Sequence, residues 1–198
     1  GKSQEQALAT NGSLGLLLGP KSDVMDVDLD CREAKGLAQL ILPKPFAQFD
    51  RGTSDSGHYL YKAITCGPTK KFSGNGPKST LVELRGDGSQ TMIPPSIHPD
   101  GSRLNFTDIN QDAPEVEYAD LLKSVSLLAA CSEVAQLWVS GRRHELALSF
   151  SGLCLKQDVN PQLLINIIQR ICQTTGDRDE QDRMNCVRTS VGKPHDEL

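Results

Sequence analysis

Hydrophobic and polar residues follow two different patterns along the chain. Up to about residue 112, short apolar runs alternate with polar residues, which is the period of β-strands that bury one face. Clusters of glycine, serine and proline separate these runs and predict turns. The segment 32–42 has helical spacing instead and ends at two prolines. The predicted strands are 14–18, 24–29, 46–49, 58–64, 81–85 and 90–93.

From residue 113 onward the apolar residues recur every three or four positions, which predicts helices. Gly141 ends the first of them, and Asn160 is a cap followed by a proline that suits a first helical turn. The sequence therefore predicts an α+β domain in residues 1–112 and a small helical subdomain in residues 113–198. The predicted helices are 116–139, 143–155, 160–176 and a short one that starts within 177–183.

The composition favours a folded domain outside the membrane. Hydrophobic residues make up 37% of the 198, which is enough to build a core. No apolar run approaches the roughly 18 residues that span a bilayer, and no signal peptide opens the chain, so a cytoplasmic protein is expected. The six cysteines form no C-x-x-C pair, which favours buried, reduced thiols over a structural zinc site.

Charge is distributed unevenly along the chain. A net charge of −4 does not by itself indicate nucleic-acid binding. The segment 58–85 is nevertheless basic, with Glu83 as its one acidic residue. Such a stretch either follows a phosphate backbone or forms a solvated, lysine-rich loop, and charge alone favours neither interpretation. Its basic residues are Lys62, Lys70, Lys71, Lys78 and Arg85.

The tetrapeptide Val-Asp-Leu-Asp at 27–30 has the most specific chemistry. On a strand, residues two apart point to one face, so Asp28 and Asp30 project together, with Asp26 on the same face. Paired carboxylates bind a hard divalent cation and suit nucleotidyl transfer with two metal ions. A calcium loop is excluded, because Cys31 stands where its tight turn requires glycine. An acidic edge strand that faces solvent is the alternative.

Two later motifs carry further candidate residues. Ser56 and His58 stand where a glycine-rich loop meets a predicted strand, and an imidazole there can reach a phosphate or a metal. Glu83 and Arg85 share one face of the predicted strand 81–85, which adds a third carboxylate and a cation. Taken singly, the histidine also fits a structural role, and the pair also fits a plain ion pair on the sheet surface.

The order of these motifs resembles that of the archaeo-eukaryotic primase superfamily. A strand with two aspartates separated by one residue comes first, then Ser-x-His before a strand, then a glutamate on a later strand. The segments 82–88 and 94–99 closely resemble the bifunctional primase-polymerase domains of phages, plasmids and mobile elements. Residues 141–148 and the turn at 176–177 resemble the helical region that follows such domains, so the resemblance spans most of residues 12–190.

The resemblance implies an RRM-like α+β primase core followed by a small helical subdomain. It implies that Asp28, Asp30 and Glu83 hold two Mg²⁺ or Mn²⁺ ions for nucleotidyl transfer. His58, assisted by Ser56, would bind the phosphates of the incoming nucleotide, and Arg85 would add a further contact.

The resemblance also implies partners and a setting. The partners are a single-stranded or primed DNA template, dNTPs or NTPs and, as in many relatives, a helicase domain or protein. A bacterial, phage-associated or plasmid-associated origin is expected. Relatives carry a strand and a helix ahead of the segment that corresponds to 14–18, so the chain is expected to be part of a longer replication protein.

Two other functions fit the same residues. Clustered carboxylates with a histidine also serve metal-dependent phosphodiesterases and nucleases. A non-catalytic replication or DNA-binding module would keep the fold without turnover. The complete set of Asp28, Asp30, His58 and Glu83 favours the polymerase, because a decayed site need not keep every member.

Overall fold

The computed structural model describes residues 13–52, 55–75, 80–194 and 196, so Lys78 of the basic segment lies outside the described residues. The strands of the described part are β1 Leu14–Leu17, β2 Val24–Leu29, β3 Ala47–Asp50, β4 Gly57–Lys62, β5 Lys70–Ser73, β6 Thr80–Arg85, β7 Gln90–Ile93 and β8 Asn105–Ile109. Its helices are α1 Arg32–Ile41, α2 Tyr118–Gln136, α3 Arg143–Lys156, α4 Pro161–Thr175 and α5 Glu180–Ser190. The predicted α+β class is confirmed.

Six strands form the main sheet in the order β5-β6-β2-β4-β3-β8, and each pair of neighbouring strands is antiparallel. β2 lies in the interior of this sheet, between β6 and β4. Its side chains alternate, so Val27 and Leu29 face one side and Asp26 and Asp28 face the other. An interior strand rules out the interpretation of these aspartates as an exposed acidic edge.

One face of the sheet packs against the helices. A single cluster of buried hydrophobic residues joins the sheet, represented by Val27 and Leu84, to helical residues such as Leu128, Ile167 and Val187. α1 packs against α2 and α4, while α3 packs against α5. The sheet and the helices therefore share one hydrophobic core, and the division near residue 112 stays a prediction from sequence organisation.

The opposite face of the sheet is partly covered by a smaller layer. β1 and β7 pair into a two-stranded sheet, and a second apolar cluster forms around Phe49, Leu60 and Leu104. The proline-rich segment 94–99 follows β7 and belongs to no strand, and we call it the rim loop. This layer leaves a cleft over the middle of the main sheet.

Most predicted elements are confirmed within a few residues, and so is the predicted cap of α4. The Asn160 side chain accepts hydrogen bonds from the backbone N–H groups of Gln162 and Leu163. Gly176 closes the helix in the left-handed conformation, with a φ of 68°. The short helix predicted to start within 177–183 begins at Glu180 and continues to Ser190.

Two strands were not predicted, β5 and β8. Both lie at the edges of the main sheet, and all five residues of β8 are exposed. Neither strand has a fully buried face, so no regular alternation marks them in the sequence. The interpretation of the basic segment as a loop is wrong in part, because Lys70 and Lys71 lie on β5.

Two further expectations concern the state of the cysteines and the lack of a segment that could span a membrane. All six cysteines are free; Cys31 and Cys66 are half-buried and the other four are buried. Among the helices of the described residues, none combines the length and the hydropathy of a membrane-crossing segment.

Candidate active site

The register of three adjacent strands places the predicted residues in one row. Asp28 on β2 lies opposite His58 on β4 and opposite Glu83 on β6. Directly opposed residues in a sheet share a face, so these three side chains project toward the cleft side of the sheet. Lys71 on β5 extends the row beyond Glu83, and Phe49 on β3 extends it beyond His58. Segments far apart in the sequence therefore meet on one surface.

Asp28 is the buried centre of this row, with 6% of its surface exposed. Its Oδ2 lies 2.5 Å from Nη2 of Arg85, and its Oδ1 lies 3.7 Å from Nε2 of His58. Burial raises the pKa of Asp28 to about 6, although His58 and Arg85 act to lower it. The two cations therefore do not fully offset the cost of taking this carboxylate out of water.

His58 is fixed by two neighbours. Its Nδ1 lies 2.9 Å from Oδ2 of Asp26, and its ring stacks on Phe49 with centroids 4.6 Å apart. A carboxylate only accepts hydrogen bonds, so Nδ1 donates and Nε2 is left on the side of Asp28. Burial lowers the pKa of His58, but the charges of Asp26 and Asp28 and the hydrogen bond from Nδ1 outweigh it and raise that pKa overall.

Asp26 is the residue whose role the sequence missed. It was expected on the same face as Asp28, but its contact with His58 depends on the register between β2 and β4. It is fully buried, and within the described residues its Oδ1 has no hydrogen-bond partner. Asp26 thus acts on the site through the orientation and charge of His58.

Arg85 joins two of the predicted carboxylates. While Nη2 contacts Asp28, Nε donates to Oε2 of Glu83 at 3.0 Å. Asp30 lies just beyond β2, where its backbone N–H donates to the carbonyl of Leu81. Partial burial raises the pKa of Asp30, Arg85 lowers it and Glu83 raises it, and the overall shift is upward. Asp30 is therefore electrostatically close to both members of this ion pair.

These residues border a cleft of about 380 Å³ between the main sheet and the smaller layer. Of the six predicted residues, five line the cleft, and Glu83 reaches it through Arg85. The predicted residues that line it are Asp28, Asp30, Ser56, His58 and Arg85. The opposite wall comes from Thr91 and Met92 on β7, from His98 and Pro99 in the rim loop, and from Leu104.

Two cationic side chains that contact Ser56 were not predicted. Arg51 lines the cleft, and its Nη2 donates to Oγ of Ser56 at 3.3 Å while its Nη1 contacts Asp100 at 2.8 Å. Lys35 on α1 donates to the backbone carbonyl of Ser56 at 3.1 Å and to Asp50 at 2.7 Å. The sequence did carry a signal for Arg51, because this residue stands five positions before Ser56 and could have been expected near it. Lys35 left none, because its contact is between distant segments.

The donors in this region suit a hard divalent cation. Four carboxylates, those of Asp26, Asp28, Asp30 and Glu83, lie around one guanidinium and one imidazole. Carboxylate oxygens are the ligands that Mg²⁺ and Mn²⁺ prefer, and the four carboxylates outnumber the two cations beside them. The residues present therefore fit a metal site, and such sites serve both nucleotidyl transfer and phosphodiester hydrolysis.

Comparison with known proteins assigns a family to this arrangement. No curated protein matches the chain. The sequence model of a protein family described as bifunctional DNA primase/polymerase, N-terminal, matches residues 4–119, more than half of the chain. The matched segment contains β1 to β8, the row across the sheet and the whole cleft lining. The chain therefore belongs to the family of bifunctional DNA primase/polymerase N-terminal domains.

Proposed function

We propose that this chain joins nucleotides on a DNA template by nucleotidyl transfer with two divalent cations. The observation that carries the proposal is the row in which Asp28 stands between His58 and Glu83 on adjacent strands. A carboxylate pair, a phosphate-binding imidazole and a third carboxylate are the groups that this chemistry requires. The family supports the activity in general, since its description is that of a DNA primase and polymerase.

The proposed metal ligands are Asp28, Asp30 and Glu83. Two Mg²⁺ or Mn²⁺ ions held there would lower the pKa of the primer 3′-hydroxyl and offset charge at the attacked phosphate. Arg85 now forms an ion pair with each of Asp28 and Glu83. When those carboxylates have another cation as partner, the guanidinium is free to turn toward the phosphates of the nucleotide.

His58 and its neighbours are proposed to hold the nucleotide phosphates. The hydrogen bond from Nδ1 to Asp26 favours the charged imidazole, in which Nε2 is a donor as well. Arg51 contacts Ser56 at the cleft wall and adds a permanent positive charge. These groups would position the α-phosphate for attack, while the carboxylates bind the metal ions.

The division of labour along the chain is part of the proposal. Residues 1–112 would carry catalysis, and residues 113–198 would brace the sheet and help to grip the template. Single-stranded or primed DNA and nucleotides are the proposed partners. A helicase partner and a cytoplasmic location stay predictions from the sequence.

The decisive experiment measures incorporation of labelled dNTPs and NTPs on single-stranded and primed templates with Mg²⁺ or Mn²⁺. The test variants are Asp28→Asn and Glu83→Gln, which remove charge with little change of shape. Asp112→Asn is the matched control, because Asp112 is exposed in a loop away from the cleft. Metal coordination contributes several kcal/mol to the transition state, so each test variant should lose at least about 100-fold in rate.

The products separate the alternatives. Chains that lengthen along the template and depend on Asp28 support the proposal, and synthesis without a primer adds priming activity. Shortened DNA would instead make the chain a nuclease. DNA binding without turnover, in a protein that contains its full N-terminal sequence, would make it a non-catalytic module and refute the proposal.

A further inference from the structure

A second cluster of metal-ligand side chains lies away from the cleft, between α3 and α5. His144 is in the first turn of α3, while Asp182 and Cys186 are four residues apart on α5 and so share a helix face. One ligand atom from each of the three residues lies within 4.8 Å of the other two. None of these residues lines the active-site cleft, and the proposed nucleotidyl transfer does not use them.

The distances within the cluster match those between ligands of one small ion. Nδ1 of His144 lies 2.8 Å from Oδ2 of Asp182 and 3.8 Å from Sγ of Cys186. In a tetrahedral zinc site, bonds of about 2.0 to 2.3 Å place neighbouring ligand atoms roughly 3.3 to 3.5 Å apart. Changes of about 0.3 to 0.5 Å in these two distances would therefore place Nδ1 of His144 at ligand spacing from both partners, and the third pair, Asp182 and Cys186, lies within 4.8 Å.

The donor types select the class of metal. An imidazole, a thiolate and one carboxylate suit Zn²⁺ and similar transition metals, whereas Mg²⁺ prefers oxygen ligands alone. His144 and Asp182 are exposed and Cys186 is buried, so an ion would have a route from solvent and one open position for water. The sequence signalled no such site, because its ligands come from two helices and form no C-x-x-C pair.

One cation now competes for this position. Arg183 contacts Asp182, but it also lies 3.0 Å from Asp177 and 3.4 Å from Asp179. Arg183 therefore keeps two carboxylate partners when Asp182 turns to a metal. The competing ion pair does not block the site.

We propose that His144, Asp182 and Cys186 bind one transition-metal ion of the zinc class, which ties the start of α3 to α5. The site is independent of the proposed nucleotidyl transfer, because it shares no residue with the cleft. Its role is structural: the ion adds a metal cross-link between two helices that otherwise meet through packing and the contact of His144 with Asp182.

The test is titration of the reduced, metal-stripped protein with Co²⁺ in excess Mg²⁺, followed by absorption spectroscopy. Wild type should bind one equivalent with a sulfur-to-cobalt charge-transfer band, and Zn²⁺ should displace the Co²⁺. Cys186→Ser should abolish the band. Cys66→Ser is the matched control, since Cys66 is the half-buried thiol of a loop outside the cluster and its loss should leave the band unchanged.

A second variant distinguishes the loss of a metal ligand from a folding defect. His144→Ala alters a side chain that is 57% exposed, so the fold should survive, which far-ultraviolet circular dichroism would verify. Loss of outer-sphere residues alone costs about 10- to 100-fold in metal affinity, so loss of this ligand should cost at least about 100-fold. The proposal is wrong if wild type shows no thiolate band, if the band survives in Cys186→Ser, or if His144→Ala binds Co²⁺ as tightly as wild type.

Discussion

Asp177 is expected to be the side chain whose removal destabilises the helical region most. Its carboxylate accepts hydrogen bonds from Nε1 of Trp138 at 3.0 Å and Nε of Arg183 at 3.0 Å, and Nη1 of Arg143 lies 3.4 Å away. It also accepts from the backbone N–H of Asp179 at 3.2 Å. Only 1% of the Asp177 side chain is exposed, so the contacts are almost fully shielded from water.

The size of the effect follows from what Asp177→Ala leaves behind. Arg183, whose side chain is 11% exposed, and the buried indole N–H of Trp138 lose their shared acceptor. Breaking a buried ion pair from one side costs about 3 to 5 kcal/mol. The contacts of Arg183 with Asp179 and Asp182 place the result toward the lower figure. In a domain of this size, each kcal/mol lowers Tm by about 2 to 4 °C, so a loss of about 3 kcal/mol corresponds to a decrease of roughly 6 to 12 °C.

The assay is reversible thermal and urea unfolding at pH 7, with Asp179→Ala as the matched control. Asp179 contacts the same arginine, but its side chain is 74% exposed, and an exposed pair contributes about 0 to 1 kcal/mol. Asp177→Asn should fall between the two, because the amide oxygen still accepts one hydrogen bond. Equal stabilities of Asp177→Ala and Asp179→Ala would refute the argument from burial.

The same contacts predict how stability depends on pH. Burial raises the pKa of Asp177, but the hydrogen bonds from Asp179, Arg183 and Trp138 outweigh it and lower that pKa overall. A carboxyl whose pKa is lower in the folded state stabilises the fold above its unfolded value, about 3.9, and loses that contribution as the pH falls through the folded value. The stability difference between wild type and Asp177→Asn should therefore narrow in acid. A constant difference from pH 7 to pH 3 would contradict the prediction.

Two further predictions concern the active site and the cap of α4. Asp26→Asn should raise KM for the nucleotide about 5- to 12-fold with little change in kcat, because replacing a charge-assisted hydrogen bond to His58 by a neutral one costs about 1 to 1.5 kcal/mol. Steady-state kinetics, with Asp112→Asn as the control variant, would measure this rise in KM. An unchanged KM would show that Asp26 does not act through His58. Asn160→Ala should lower the free energy of unfolding by about 1 kcal/mol, because the N–H groups of Gln162 and Leu163 lose their acceptor. Urea unfolding would test it, and a loss below about 0.3 kcal/mol would show that water replaces the cap.

The sequence predicts best those features that depend on local patterns. The alternation at 24–29 identifies β2 and the face of Asp28, and Asn160 marks the start of α4, because both follow from residues close in the chain. β8 was not predicted. It is an edge strand with five exposed residues, and the backbone hydrogen bonds that hold it require no alternation of apolar and polar side chains.

Contacts between distant segments explain the remaining misses. The hydrogen bond from His58 to Asp26 joins residues 32 apart, and it exists only in the observed register of β2 and β4. The contact between Arg51 and Ser56 joins residues only five apart, yet both lie outside the strands, so no regular element fixes their separation. The pairing of His144 with Cys186 spans 42 residues and requires the packing of α3 on α5. Sequence patterns carry no information on such placements.

The origin of each charge in the cleft shows how the site is built. The carboxylates of Asp28 and Glu83 stand on interior strands, so backbone register fixes their spacing without help from other side chains. Arg51 lies just beyond β3, outside this row. The four carboxylates of Asp26, Asp28, Asp30 and Glu83 outnumber the guanidinium of Arg85 and the imidazole of His58, so this part of the site is short of positive charge. Carboxylates whose spacing follows from strand register, with a further cation beside them, would suit a site that admits metal and nucleotide phosphates together, since each then neutralises what the other lacks.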